Sequence, residues 1–326
     1  MENVADKGFL GTVCYEEPLH VRKDGRNMTM IRGKVVGCMT TFPGRFDILR
    51  QTVASIACQL DALLLYVNES TEGLPDLSDL RNVTVFEGQD HAGDLLANGK
   101  AYLLKFLQDC EVFTLDDDFI YPPDYVAKNL DILRKMGGRC LVTTHGSVVQ
   151  EDCDWYYERH SVFISIRGVV GLQMCNLAGS GTACFDQRRM PVDADDLLEK
   201  VMVDLKLSLA ARDAGLPLFV LPREEGWLTV IRKPGLWEKY SGIEITHHTE
   251  LARRERWDFA THARNARTAL AAAGIGPAGI GLDPATAHCL DHGGLPPGWK
   301  HDLTSILTRD NYLSLLNRIL DDETIA

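Results

Sequence analysis

The chain has no excess of positive charge. Its 326 residues carry 34 Lys and Arg against 46 Asp and Glu, a formal net charge of −12. No basic field is present to attract a phosphate backbone, so nucleic acid is not an expected partner. No run approaches the 18 or so apolar residues of a membrane span, and none is expected. The opening Met1-Glu2-Asn3-Val4-Ala5-Asp6 has neither a basic n-region nor an apolar h-region, so no signal peptide is expected. The nine cysteines include no Cys-x-x-Cys pair, and Cys38, Cys110, Cys140 and Cys184 sit among apolar residues. They read as reduced core thiols of a cytoplasmic protein, not as disulfides or zinc ligands. A peripheral position at a membrane stays open. There is no internal repeat. What remains is ordinary for a soluble globular chain, at 45% hydrophobic and 25% charged residues. The length suffices for one large domain, or for a domain with a smaller lobe.

Residues 1–32 carry no clear period and read as an N-terminal extension. From 33 to 249 strand-like runs alternate with helix-length segments. Strands are expected at 34–39, 62–67, 83–86, 111–115, 141–149, 162–171 and 218–221. Helices are expected at 46–58, 94–108, 124–136 and 195–213. Such alternation predicts an α/β fold: βαβ units in a mixed, mostly parallel sheet flanked by helices. Residues 250–326 read as a helical C-terminal lobe, tail or dimerisation element, helical at 250–273 and 302–321. A Gly/Pro-rich linker at 274–298 separates the two.

The densest chemical signal lies at Phe113-Thr114-Leu115-Asp116-Asp117-Asp118-Phe119-Ile120-Tyr121-Pro122-Pro123. An apolar β-prone run ends in three carboxylates, and ligands of open α/β sheets gather at the carboxyl ends of strands. Carboxylates there suit a hard divalent cation that also binds phosphate oxygens. Side chains alternate along an extended chain, so Asp116 and Asp118 are expected on one side and Asp117 on the other. The plainer reading is an acidic turn capping the next helix.

In order along the chain, these segments resemble glycosyltransferases of the GT-A fold, especially family 2-like bacterial enzymes, over about residues 33–230. Thr40-Thr41-Phe42-Pro43-Gly44-Arg45 is similar to the nucleotide-binding loop after the first strand, which implies donor contacts from Thr41, Phe42, Pro43 and Arg45. Val67-Asn68-Glu69-Ser70-Thr71-Glu72 stands where many members carry Val-Asp-Asp-Gly-Ser-Thr-Asp. Asn and Glu replace the usual Asp residues, which leaves Glu69 as the implied base or ribose contact. Gly93-Asp94 with Lys100 resembles the segment reaching nucleoside and diphosphate. Asp116-x-Asp118 resembles the metal motif, with Asp117 on the donor nucleotide. Taken singly, Asp94 also suits a helix cap, and Arg45 and Lys100 also suit solvated helix faces.

The resemblance implies a nucleotide-sugar donor of UDP or GDP type, Mn²⁺ or Mg²⁺ held by Asp116 and Asp118, and transfer to a glycan or lipid-linked glycan precursor with inversion. A carboxylate must take the acceptor's proton. Asp204 lies about 100° from Leu205 on a helix of 3.6 residues per turn and is the expected base, with Asp195 and Asp196 as competitors. Of His247-His248, His248 is the expected third metal ligand, although a packed or surface histidine is the plainer reading. Trp227 offers a face for a sugar or for the core. Gly181, in Gly179-Ser180-Gly181-Thr182-Ala183, offers an acceptor-pocket turn. The alternatives are a non-catalytic GT-A-like binder of nucleotide sugars or a partner, and an aspartyl phosphatase or phosphotransferase. In the latter, the Asp-x-Asp normally follows the first strand, not the fourth.

Overall fold

A computed structural model of the chain describes residues 30–149, 151, 155–198, 202–233, 245–255 and 257–299. The helix expected at 302–321 and nearly all of the 1–32 extension lie outside these residues.

Eight strands form the central sheet: β1 (Val35–Thr41), β2 (Ala62–Val67), β3 (Val83–Glu87), β4 (Glu111–Leu115), β5 (Leu141–Thr143), β6 (Gln173–Cys175), β7 (Thr182–Asp186) and β8 (Leu218–Val220). Their spatial order is β6-β8-β5-β7-β4-β1-β2-β3. Strands β4, β1, β2 and β3 pair in parallel, as do β8 and β5. Strand β7 enters antiparallel between β4 and β5, and β6 closes the far edge antiparallel to β8. The expected α/β fold with a mostly parallel sheet is what the chain adopts.

Every residue of β2 is buried, as a strand covered on both faces requires. One face packs on α1 (Phe46–Ala57) and α3 (Tyr125–Lys135) through Leu49, Val53, Ile56, Tyr125, Leu130 and Leu133. The other is covered by the short α2 (Gly99–Tyr102) and by α5 (Val203–Asp213), through Ala101, Val203, Leu207 and Ala211.

Several sequence expectations change. The 141–149 strand divides into β5 and a separate strand, Gly146–Val149, which pairs with Arg159–Phe163 and Leu177–Ala178. Thr143 turns the chain there: its hydroxyl bonds the His145 backbone and Thr182. The 162–171 strand is mostly turn after Phe163, because buried Arg223 takes the Ile164 and Ser165 carbonyls that a ladder would have used. The helix expected at 195–213 is two: α4 (Ala194–Leu197), which Asp193 caps through Asp195 N, and α5. The 274–298 linker contains α8 (Pro284–His292), started by the Asp283 cap and Pro284 and ended by Gly293 in the left-handed region. With α6 (Ile245–Arg254) and α7 (Phe259–Ala273) it completes the described helices of the tail. Ala263, Ala266, Leu270, Cys289 and Leu290 bury against the same core as α1 and α3. Among the described residues no helix is long and apolar enough to cross a membrane.

Candidate active site

The parallel strands β1, β2, β3, β4 and β5 all end at one edge of the sheet. Strand β7 runs the other way, so its beginning arrives there too: Thr182 pairs with Leu115, and Ala183 with Thr143. The acidic triplet, the loops after β1, β2 and β3, and the Gly179–Thr182 turn therefore meet.

Strand β4 stops at Leu115 because the Asp116 N–H is drawn to Gly181 O (3.1 Å) and to the buried Tyr121 hydroxyl (3.0 Å). Asp117 and Asp118 then turn, and Phe119–Ile120 resumes as a short strand against Thr229–Val230. This corrects the expected alternation. The three carboxylates are not split between two faces, since period-2 geometry ends with the strand. Asp118 Oδ2 lies 2.8 Å from Arg45 Nη1, and Asp117 Oδ1 lies 4.0 Å from it. Arg45 is buried, not solvated, in the short 3₁₀ turn Pro43–Arg45 that follows β1. Phe42, half-buried, covers Gly44.

The second cation is Lys100, which ion-pairs with Asp116 Oδ1 and is only 2% exposed. It is not on a solvated helix face, and the reason is close packing. Gly99 has no room for a side chain: a Cβ there would stand 2.4 Å from Thr40 Oγ1 and 2.7 Å from the Tyr66 ring. That contact brings α2 against the sheet. Asn68 fixes the preceding loop. Its amide nitrogen donates to Leu96 O (3.0 Å) and Thr40 Oγ1 (3.2 Å), while its oxygen accepts from Leu95 N (2.9 Å). A carboxylate cannot donate, so Asn at this position has a structural cause.

Charge balance in the cluster favours cations. Burial and the neighbouring Asp118 push the Asp117 carboxyl up to about 7 against the pull of Arg45. Burial and Asp116 likewise raise Asp118. Burial opposes the charge on Lys100 and on Arg45, but the surrounding carboxylates outweigh it and hold both above their ordinary values. Among the described residues Arg45 Nε is buried with no hydrogen-bond partner, while the Thr41 hydroxyl is the hydrogen-bonding group beside the buried Asp117 carboxyl. A buried guanidinium nitrogen left unsatisfied is what a ligand or water must meet.

Asp204 joins from the opposite side. It lies in the first turn of α5, and its Oδ1 accepts from Ser180 N at 2.8 Å. Gly181 abuts Asp116 so closely that a Cβ would fall 1.8 Å from Oδ2. The absent side chain lets the turn seat Asp116.

The other expected residues are placed as follows. Glu69 is exposed directly after β2, with φ of 60°, and its carbonyl accepts from Gln89. Asp94 is exposed and its Oδ1 accepts from Leu96 N, an Asx turn one residue ahead of Leu95, the N-cap of the 3₁₀ turn Leu96–Asn98. Asp195 pairs with Lys105 away from this cluster. Trp227 is corrected: its Nε1 donates to Asp124 (2.8 Å), one ring contact is Tyr125 stacked at 5.6 Å, and Lys128 stands over the ring at 4.7 Å. Its polar handle is spent on anchoring the 227–230 segment to α3, so it is not a free sugar platform. His248 is also corrected. It lies on α6, not an extended segment, with its ring 4.9 Å from that of Tyr156. Among the described residues no three His, Cys, Asp or Glu side chains form a group able to hold a metal ion, so His248 does not complete one with Asp116 and Asp118.

A divalent ion nevertheless fits the two carboxylates. The donors are all oxygen, and four nearby carboxylates face two cations. The Asp116 and Asp118 side chains also keep 42% and 22% exposure. Mg²⁺ in particular is commonly held by one or two carboxylates plus substrate phosphates and water.

Sequence reasoning missed Gly99, Tyr121, His145, Thr143 and the structural duty of Asn68. Only Asn68 left a trace, as a departure from the motif that its segment resembles.

No family model matches the chain, and no curated protein does. Among solved structures it is similar to S. aureus TarS 1–349, and to the same protein in complex with UDP-GlcNAc. Each has a TM-score of 0.45 and 11% identity over 74% of this chain, covering 72% and 73% of those chains respectively.

Proposed function

We propose that the chain is a metal-dependent glycosyltransferase acting on a nucleotide-sugar donor of UDP or GDP type. The observation that carries this is the convergence of Asp116, Asp117 and Asp118 with buried Lys100 and Arg45, where Arg45 Nε has no hydrogen-bond partner among the described residues. Together with the ordered resemblance of the strand-end loops to GT-A enzymes, that arrangement suits a nucleoside diphosphate: cations for phosphate, and Asp117 with Thr41 for ribose hydroxyls or base N–H groups. Phe42, Pro43, Glu69 and Asp94 border the same edge and complete the donor side.

Bound to Asp116 and Asp118, Mg²⁺ or Mn²⁺ would offset the charge that grows on the β-phosphate as the glycosidic bond breaks. Lys100 and Arg45 hold the two carboxylates in place and supply fixed positive charge where the diphosphate leaves. Asp204, oriented by the Ser180 amide, is the base that receives the acceptor hydroxyl's proton. A base separate from the leaving-group site suits inversion, and a glycan or lipid-linked glycan is the acceptor class.

The test is a thermal-shift panel of UDP, GDP, CDP and dTDP, each with Mn²⁺, Mg²⁺ or chelator. A ligand at about 100 times its dissociation constant adds roughly 2.7 kcal/mol of stability. One diphosphate should shift the transition only with metal, and Asp118→Ala should abolish that shift. No shift with any diphosphate refutes the donor; a shift that persists in Asp118→Ala refutes the metal assignment.

A further inference from the structure

The residue two beyond β5 is a histidine that the donor site does not use. The His145 backbone is locked: its N–H donates to Thr182 Oγ1 (3.0 Å) and Thr143 Oγ1 (3.2 Å), and its carbonyl accepts from Gly179 N and from Thr143 Oγ1, both at 2.8 Å. The half-buried ring lies on Gly179, where a Cβ would come within 3.0 Å of His145 Cβ and Cδ2. Neither ring nitrogen has a hydrogen-bond partner among the described residues, and the same holds for Asp204 Oδ2.

Three successive residues of one turn thus seat three groups. Gly179 carries the His145 ring, Ser180 N fixes Asp204, and Gly181 fits against Asp116. Burial lowers the His145 pKa, Asp204 and then Asp116 partly offset it, and Arg223 and Arg159 add to the lowering. The ring is therefore neutral at pH 7, with one N–H to donate and one nitrogen to accept. An ionised Asp204 only accepts. A hydroxyl can donate to Asp204 and accept from His145. A phosphate oxygen has no proton for Asp204 and is repelled by it.

We propose that His145 and Asp204 together form the subsite for the attacking hydroxyl of the acceptor, a carbohydrate or polyol hydroxyl. This rests on the glycosyltransferase reading and adds the acceptor half. In the step, the hydroxyl oxygen bonds to the donor's anomeric carbon. The bond from that carbon to the β-phosphate oxygen breaks, its electron pair leaves on the diphosphate, and the hydroxyl proton passes to Asp204. His145 orients the oxygen through its N–H.

The test uses the full chain and methyl glycosides of glucose, galactose, mannose and N-acetylglucosamine. The imidazole NMR signals of His145 are followed on titration, alongside the diphosphate thermal-shift panel. At least one glycoside should move the His145 signals. His145→Leu and Asp204→Asn should each weaken its binding at least tenfold, His145→Asn should restore most of it, and the diphosphate shift should persist in all three. Signals unmoved by every glycoside, or affinity unchanged in both His145→Leu and Asp204→Asn, overturn the proposal. Glycoside binding as stated without any diphosphate shift in the unaltered chain would instead sink the donor reading and leave the hydroxyl subsite standing.

Discussion

Replacing Gly181 by Ala probes the whole cluster with one methyl group. The new Cβ would stand 1.8 Å from Asp116 Oδ2 and 2.2 Å from its Cγ. At van der Waals separations of about 3.4 Å, the carboxylate must retreat by roughly 1.5 Å. Asp116 is also the partner of Lys100, which is 2% exposed and cannot rehydrate in place. Losing a partner outright from a buried pair costs about 3–5 kcal/mol. Here Asp116 is displaced, not removed, and it is partly exposed, so a cost of about 1–3 kcal/mol typical of overpacking is expected. At about 1.5 °C per kcal/mol for a chain of this length, Tm should fall by roughly 2–5 °C. Metal-dependent diphosphate binding should weaken by at least tenfold, because Asp116 is moved from its place beside Lys100. Gly294→Ala, where nothing lies within 4 Å of the added carbon, is the control and should change neither. Differential scanning calorimetry and the diphosphate shift panel measure both effects. A Gly181→Ala protein with unchanged Tm and diphosphate affinity would refute the packing argument and the place of Asp116 in the site.

His262 is 1% exposed with both ring nitrogens unpartnered among the described residues, and burial, reinforced by Arg212 against Asp258, pushes its pKa down to about 4. An imidazole whose folded pKa is depressed contributes stability that is complete above about 6.5 and is lost as pH falls toward 4, up to about 3 kcal/mol. His262→Leu should flatten Tm between pH 6.5 and 4 relative to the unaltered chain; parallel curves would refute this. Asn68→Asp loses the donations to Leu96 O and Thr40 Oγ1, so it should cost about 1–3 kcal/mol at pH 7 by urea unfolding, and an unchanged midpoint would count against the loop anchor. Trp227→Phe loses only the bond to Asp124 and should cost about 1 kcal/mol without altering diphosphate or glycoside binding; impaired binding would return Trp227 to the site.

The sequence by itself determined the layers and the chemistry on offer. Buried apolar runs such as 62–67 and the amphipathic 46–57 segment predict strand and helix locally, because periodicity is a property of neighbouring residues. Asp116, Asp117 and Asp118 at the end of β4, and Arg45 after β1, were legible as strand-end groups for the same reason. Side-chain directions beyond the strand were not, since alternation assumes a conformation that the Tyr121 and Gly181 contacts terminate. Only the tertiary structure decided which groups face one another. Lys100 leaves the solvent because Gly99 admits α2 against Thr40 and Tyr66. Trp227 is claimed by Asp124, Tyr125 and Lys128, all on or beside a helix about a hundred residues earlier in the chain. Above all, the antiparallel entry of β7 between β4 and β5 carries the Gly179–Thr182 turn to the acidic triplet and brings His145 and Asp204 with it. Strand pairing between distant segments depends on the burial of the whole sheet, and no local pattern in the chain encodes it.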